Sequence, residues 1–153
     1  MTEIKDIENK IRRQFPEIEF KDESFNDCLF LTFKTNYQKD YYYFIELSKE
    51  FKYVNIGATL ENQEKNQYFW LTRIDYKIRD VDNVEIFNEF MFETIEILVN
   101  HRTRIIQEKK MISQAFTLEY FIENDWKKLE TTSAFKYGGF KFPAIEMKRK
   151  IYE

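Results

Sequence analysis

Cysteine, histidine, proline and glycine are nearly absent from this 153-residue chain, with 1, 1, 2 and 3 copies. Each shortage removes a class of chemistry. A single cysteine, Cys28, cannot close an internal disulfide, which fits a reducing compartment. Cys28 and His101 together fall short of the Cys/His quartet of a structural zinc site. Neither H-E-x-x-H nor the D-x-D-x-D-G calcium loop occurs, so neither zinc nor calcium is expected. The glycine-rich phosphate loops G-x-G-x-x-G and G-x-x-x-x-G-K-[ST] are missing, and so is the G-x-S-x-G nucleophile elbow. No cofactor is therefore expected. Long apolar runs are lacking too: none approaches the roughly 18 residues that cross a bilayer, and the charged start MTEIKDIENK does not read as a signal peptide. A cytoplasmic protein with no membrane contact is the expectation.

Aromatic residues are what the chain has in abundance, with 16 Phe and 10 Tyr in a composition that is 43% hydrophobic. That is enough apolar surface for one packed core, and the length suits a single domain spanning 1–153. Net charge is −3 but unevenly spread. Residues 1–100 carry 13 Lys and Arg against 20 Asp and Glu, and residues 101–153 carry 11 against 7. Internal pairing between the halves is the simpler reading of this asymmetry, and a surface with one basic side is the other.

Ile4, Ile7 and Ile11 at helical spacing predict a short amphipathic helix stopped by Pro16. A brief strand at Ile18–Phe20 and a polar loop over 21–27 follow. Four strands come next. Cys28–Lys34 is apolar on both faces, and Tyr41–Leu47 is dense in aromatics. Lys52–Leu60 alternates Val54, Ile56, Ala58 and Leu60 with Tyr53, Asn55, Gly57 and Thr59. Gln67–Lys77 is expected to place Tyr68, Trp70, Thr72, Ile74 and Tyr76 on one face. Short connections predict an antiparallel meander. A long helix is expected over 82–109, opened by Asp82 and Glu85 as a capping box. Asp82, Glu85, Glu89, Glu93, Glu96 and Asn100 form its polar stripe, and Arg102, Arg104, Lys109 and Lys110 sit at its C-terminal end. Residues 112–130 fit both periods and read better as helix. In AFKYGGFKF (134–142), Gly138-Gly139 predicts a tight hairpin. The fold class is thus α+β: an antiparallel sheet of about four or five strands, a long helix on one face, and a C-terminal helical segment with a short hairpin.

Catalytic readings find little support. Nucleophilic catalysis needs a base oriented beside the nucleophile, and nothing brings Cys28 to His101. Cys28 in an apolar strand reads as buried, inert core, and His101 as a partly buried structural residue. The glutamate stripe reads as a solvated helix face, since His101 follows Glu96 at the wrong interval for a bundle-type metal site. Arg73 reads as a salt-bridge partner of Asp75. A carboxylate-based hydrolase needs only two acids, so composition alone does not exclude one. KYGGFKF resembles the aromatic and basic strand of RNA-recognition domains, which implies base stacking, but its Gly-Gly predicts a turn where those domains run one continuous strand. A nucleic-acid surface would draw on Arg102, Arg104, Lys109, Lys110, Lys136, Lys141 and Lys148–Lys150. The reading favoured over both is a non-catalytic domain that binds another protein, with an aromatic patch of Tyr53, Tyr68, Trp70 and Tyr76 as the contact surface. A toxin-neutralising immunity protein or a dedicated chaperone would fit.

Overall fold

The computed structural model describes residues 4–48, 53–60, 70–77, 84–109, 113–135 and 148–153, which form two helices and two antiparallel sheets, an α+β fold. Helix α1 (Ile4–Gln14) buries Ile7 and Ile11, one turn apart, while Arg12 reaches back to Glu8 at 2.8 Å. The chain then turns at Phe15 and Pro16, where proline ends the helix.

The first sheet runs β1 (Lys21–Asp22), β2 (Cys28–Phe33), β3 (Tyr41–Ser48), β4 (Tyr53–Leu60) and β5 (Trp70–Lys77), in chain order. The brief strand expected at Ile18–Phe20 thus lies just beyond it, and part of the polar stretch 21–27 is a strand and a tight turn rather than a loop. Phe25 and Cys28 exchange backbone hydrogen bonds across Asn26-Asp27, with Asn26 at φ 49°. Asparagine accepts that left-handed conformation more readily than most residues. The meander forms as its alternation predicts: Leu31 pairs with Ile45, and Ile45 pairs in turn with Ile56. Leu29, Leu31, Phe33, Tyr41, Tyr43, Ile45, Leu47, Val54, Ile56 and Ala58 fill the core. The opposite face is also buried over much of its extent, at Phe30, Thr32, Phe44, Asn55 and Thr59. This is why β2 carries apolar residues at nearly every position.

Helix α2 (Val84–Asn100) is shorter than the sequence suggests. Residues 103–109, expected to continue it, form strand β6 (Thr103–Lys109) instead. The amide of His101 still bonds the carbonyl of Ile97, and the chain leaves the helix there. Thr103, Ile105 and Ile106 are β-branched, and such residues suit a pleated strand better than a helix end. Met91, Phe92, Ile95, Leu98 and Val99 join the common core.

The second correction concerns 112–130. No helix forms over its described residues: β7 (Ser113–Ile122) and β8 (Asp125–Phe135) make a hairpin, and with β9 (Lys148–Tyr152) they build a second sheet in the order β8-β7-β6-β9. The period-two series Phe116, Leu118, Tyr120 prevails over the helical one. The deciding feature is the two-residue turn Glu123-Asn124, with φ 52° and 61°. Positive φ at both positions matches the right-handed twist of the flanking strands. Only Ala134 and Phe135 of the expected Gly138-Gly139 hairpin are described, as the end of β8; the rest lies outside the described residues. Ile105, Phe116 and Leu118 belong to the same core as the first sheet. The Thr103 hydroxyl joins the two sheets through hydrogen bonds with the hydroxyls of Tyr41 (2.6 Å) and Tyr43.

Candidate functional site

The register of β4 and β5 places the residues of the expected aromatic patch along the backbone. Tyr53 pairs with Lys77, Asn55 with Asp75 and Gly57 with Arg73, whereas Tyr76 pairs with Val54 and Ile74 with Ile56. The register shifts between Ala58, which pairs with Thr72, and Thr59, which pairs with Trp70. A bulge of this kind interrupts the alternation of faces along a strand. Trp70 is thus paired with a residue on the face of Tyr53 and Asn55, and Tyr76 with Val54 on the core face. Tyr53 is half-buried, and Tyr68 lies outside the described residues.

A polar cluster that the sequence did not single out sits on the face of Asn55. Glu46 is 7% exposed, and Asn55, opposite it in the register, is 8% exposed. The Asn55 amide donates to Glu46 Oε2 at 2.8 Å, and the Cys28 thiol donates to Glu46 Oε1 at 3.7 Å. Cys28 is only half-buried, not enclosed as its apolar strand suggested. Burial, then the charge of Glu46 and the hydrogen bond to it, push the thiol up to about 11. A thiol held in its neutral form is a poor nucleophile. The signal in the sequence is an acidic residue inside the aromatic run 41–47, where a carboxylate on a strand buried on both faces needs hydrogen-bond donors. His101 keeps different company: Nδ1 lies 3.3 Å from the carbonyl of Phe121, and the ring packs beside Tyr120.

The second sheet assembles an aromatic and cationic group on its outer face. Ile105 and Leu118, a register pair, are buried in the core, so their neighbours Arg104 and Glu119 stand on the other side. Phe121 and Trp126 pair across the end of the hairpin with ring centroids 5.1 Å apart. The Arg104 guanidinium lies over the Trp126 ring at 4.2 Å, and Arg102 lies at 5.6 Å. Arg104 is held by Glu119 at 2.7 Å, and exposed Arg102 meets Glu153 at 3.2 Å. Both arginines thus have intramolecular partners, and since Glu119 and Glu153 lie in the same basic half of the chain, these pairs do not join the two halves. Ile151 is 44% exposed on this face, beside buried Ile106. Elsewhere, a groove of about 320 Å³ beside β1 is lined by Glu19, Lys21, Glu23, Thr32, Phe33, Lys34 and Tyr42. Its charged groups are of both signs. Among the described residues, no group of three or more His, Cys, Asp or Glu could hold a metal ion, and no helix is long and apolar enough to cross a membrane.

No family model, no curated protein and no solved structure matches this chain. Functional inference rests on the chemistry of its own surfaces.

Proposed function

We propose that this chain is a non-catalytic protein-binding domain whose contact surface is the outer face of the second sheet around Trp126. One observation carries the reading: a partly exposed tryptophan and phenylalanine are grouped with two arginines at the end of a hairpin. Tryptophan and arginine are the side chains that most often dominate the energy of protein interfaces, combining large apolar area with directional polar groups. The same geometry disfavours nucleic acid at this place. Base stacking needs an open ring face, and Arg104 and Phe121 already pack against the Trp126 ring. Of the expected patch, Tyr53 and Trp70 share a face by register and are kept as a second surface of the same reading, whereas Tyr76 pairs on the core face and Tyr68 lies outside the described residues.

Immunity to a toxin and dedicated chaperoning are two roles of this kind, and the product of the neighbouring gene is the first partner to try. Isothermal titration of the purified pair tests the reading. Trp126→Ala should weaken the complex by about 2 kcal/mol or more, with Arg102→Ala also weakening it at little cost to folding. Retained affinity in both variants would move the contact surface elsewhere, and loss in Trp70→Ala alone would place it at the second patch.

A further inference from the structure

The pairing of β6 with β9 sets the basic run Lys148–Lys150 beside Lys109, which is distant in sequence. Lys109 stands directly opposite Lys148, Gln107 opposite Lys150, and Glu108 opposite Arg149. Four of the ten paired positions are cations, and Glu108 is the one acid among them. Arg149, Lys150 and Ile151 are all exposed, and among the described residues β9 is the last strand of its sheet. Among the described residues, the backbone bonds that reach beyond β9 come from Lys39 and Asp40 to the carbonyl of Glu153, past the basic stretch.

We infer that the β9 edge receives an extended, acidic segment of the protein partner, which adds to the second sheet as a further strand. The inference rests on the protein-binding reading and names the partner's chemistry. Backbone groups of an edge strand supply the affinity in such an addition, and side chains at alternate positions supply the selection. Carboxylates spaced two residues apart would match positions 148 and 150 on one face, and an acid between them would match Arg149 on the other. Solitary lysines commonly guard edge strands against unwanted pairing. A guard needs one lysine, whereas Lys148, Arg149 and Lys150 follow one another along this strand, and a run of cations is complementary to an anionic strand. A polypeptide is favoured over a nucleic acid because the aromatic residue of this strand is already engaged. Lys150 Nζ lies 4.6 Å from the Tyr152 ring, and the Tyr152 hydroxyl donates to Gln107 at 2.9 Å.

The test titrates the isotopically labelled full chain with a short peptide of alternating Glu and Val, its Lys-Val counterpart, and a short oligothymidylate. Amide resonances and their hydrogen exchange are followed. The Glu-Val peptide should bind saturably and slow exchange at the amides of Lys148–Tyr152. Arg149→Glu and Lys150→Glu, both at exposed positions, should each weaken it by about tenfold or more. Equal binding of the Lys-Val peptide, binding of the Glu-Val peptide without protection of β9, or no saturable binding would overturn the inference. Each of these would leave the Trp126 surface standing. Preferential binding of the oligothymidylate would overturn the inference and the protein-binding reading together.

Discussion

With its thiol pushed to about 11, Cys28 is protonated at neutral pH and donates to the Glu46 carboxylate. Alkylation by iodoacetamide should therefore be slow and should keep accelerating as pH rises past about 10. Glu46→Gln should shift that profile to lower pH, because its charge and its hydrogen bond both raise the thiol. A profile already flat above the ordinary thiol value of 9.0 would contradict the account. Tyr41 is raised to about 12 and Tyr43 well above its ordinary value, in both cases chiefly by burial. The fold thus prefers all three groups neutral, whereas in the unfolded chain they ionise near 9.0 and 10.0. Their contribution to stability is complete below pH 9 and is lost as pH rises through 11 to 12. Thermal midpoints measured across that range should fall steadily; a flat profile would mean that these groups are accessible in the native state.

Turns and registers decide the individual elements, and some of them leave clear marks in the sequence while others leave none. Helix α1 and the meander are legible because Ile7 and Ile11 keep helical spacing, and Val54, Ile56 and Ala58 keep strict alternation. The hairpin β7–β8 escapes the same reasoning because Glu123-Asn124 is not a familiar turn pair. Glutamate has no intrinsic preference for the φ of 52° it adopts. Replacing the pair by Asn-Gly should raise stability by about 1 kcal/mol, seen as a higher thermal midpoint, and a lower midpoint would contradict the turn geometry. The end of α2 is hidden because basic residues after a helix look like dipole partners, although Arg104 meets Glu119 on the neighbouring strand. The bulge at Ala58/Thr59 leaves no trace in residue types, so the register partner of Trp70 does not follow from alternation.

At the scale of the molecule, two antiparallel sheets and both helices contribute to one apolar core, and Thr103 is a polar tie between the sheets. Thr103→Val keeps the shape and removes the hydroxyl that both tyrosines use. It should cost about 1–3 kcal/mol in denaturant unfolding, because two buried phenols lose their partner. An unchanged midpoint would show that the tyrosine hydroxyls find other partners. The α+β class is legible from length, periodicity and short connections. The outer face of the second sheet is not, because Trp126, Phe121, Arg102 and Arg104 come together only once three strands take their register. Whether that face binds protein is tested most directly by photo-crosslinking in the native host. Benzoylphenylalanine at position 128, exposed on the edge of this surface, should give one adduct of defined mass that protease destroys. The adduct should vanish in Arg102→Glu, and the same label at exposed position 17 should give none. The absence of any adduct at position 128, or an adduct removed by nuclease, would contradict the account.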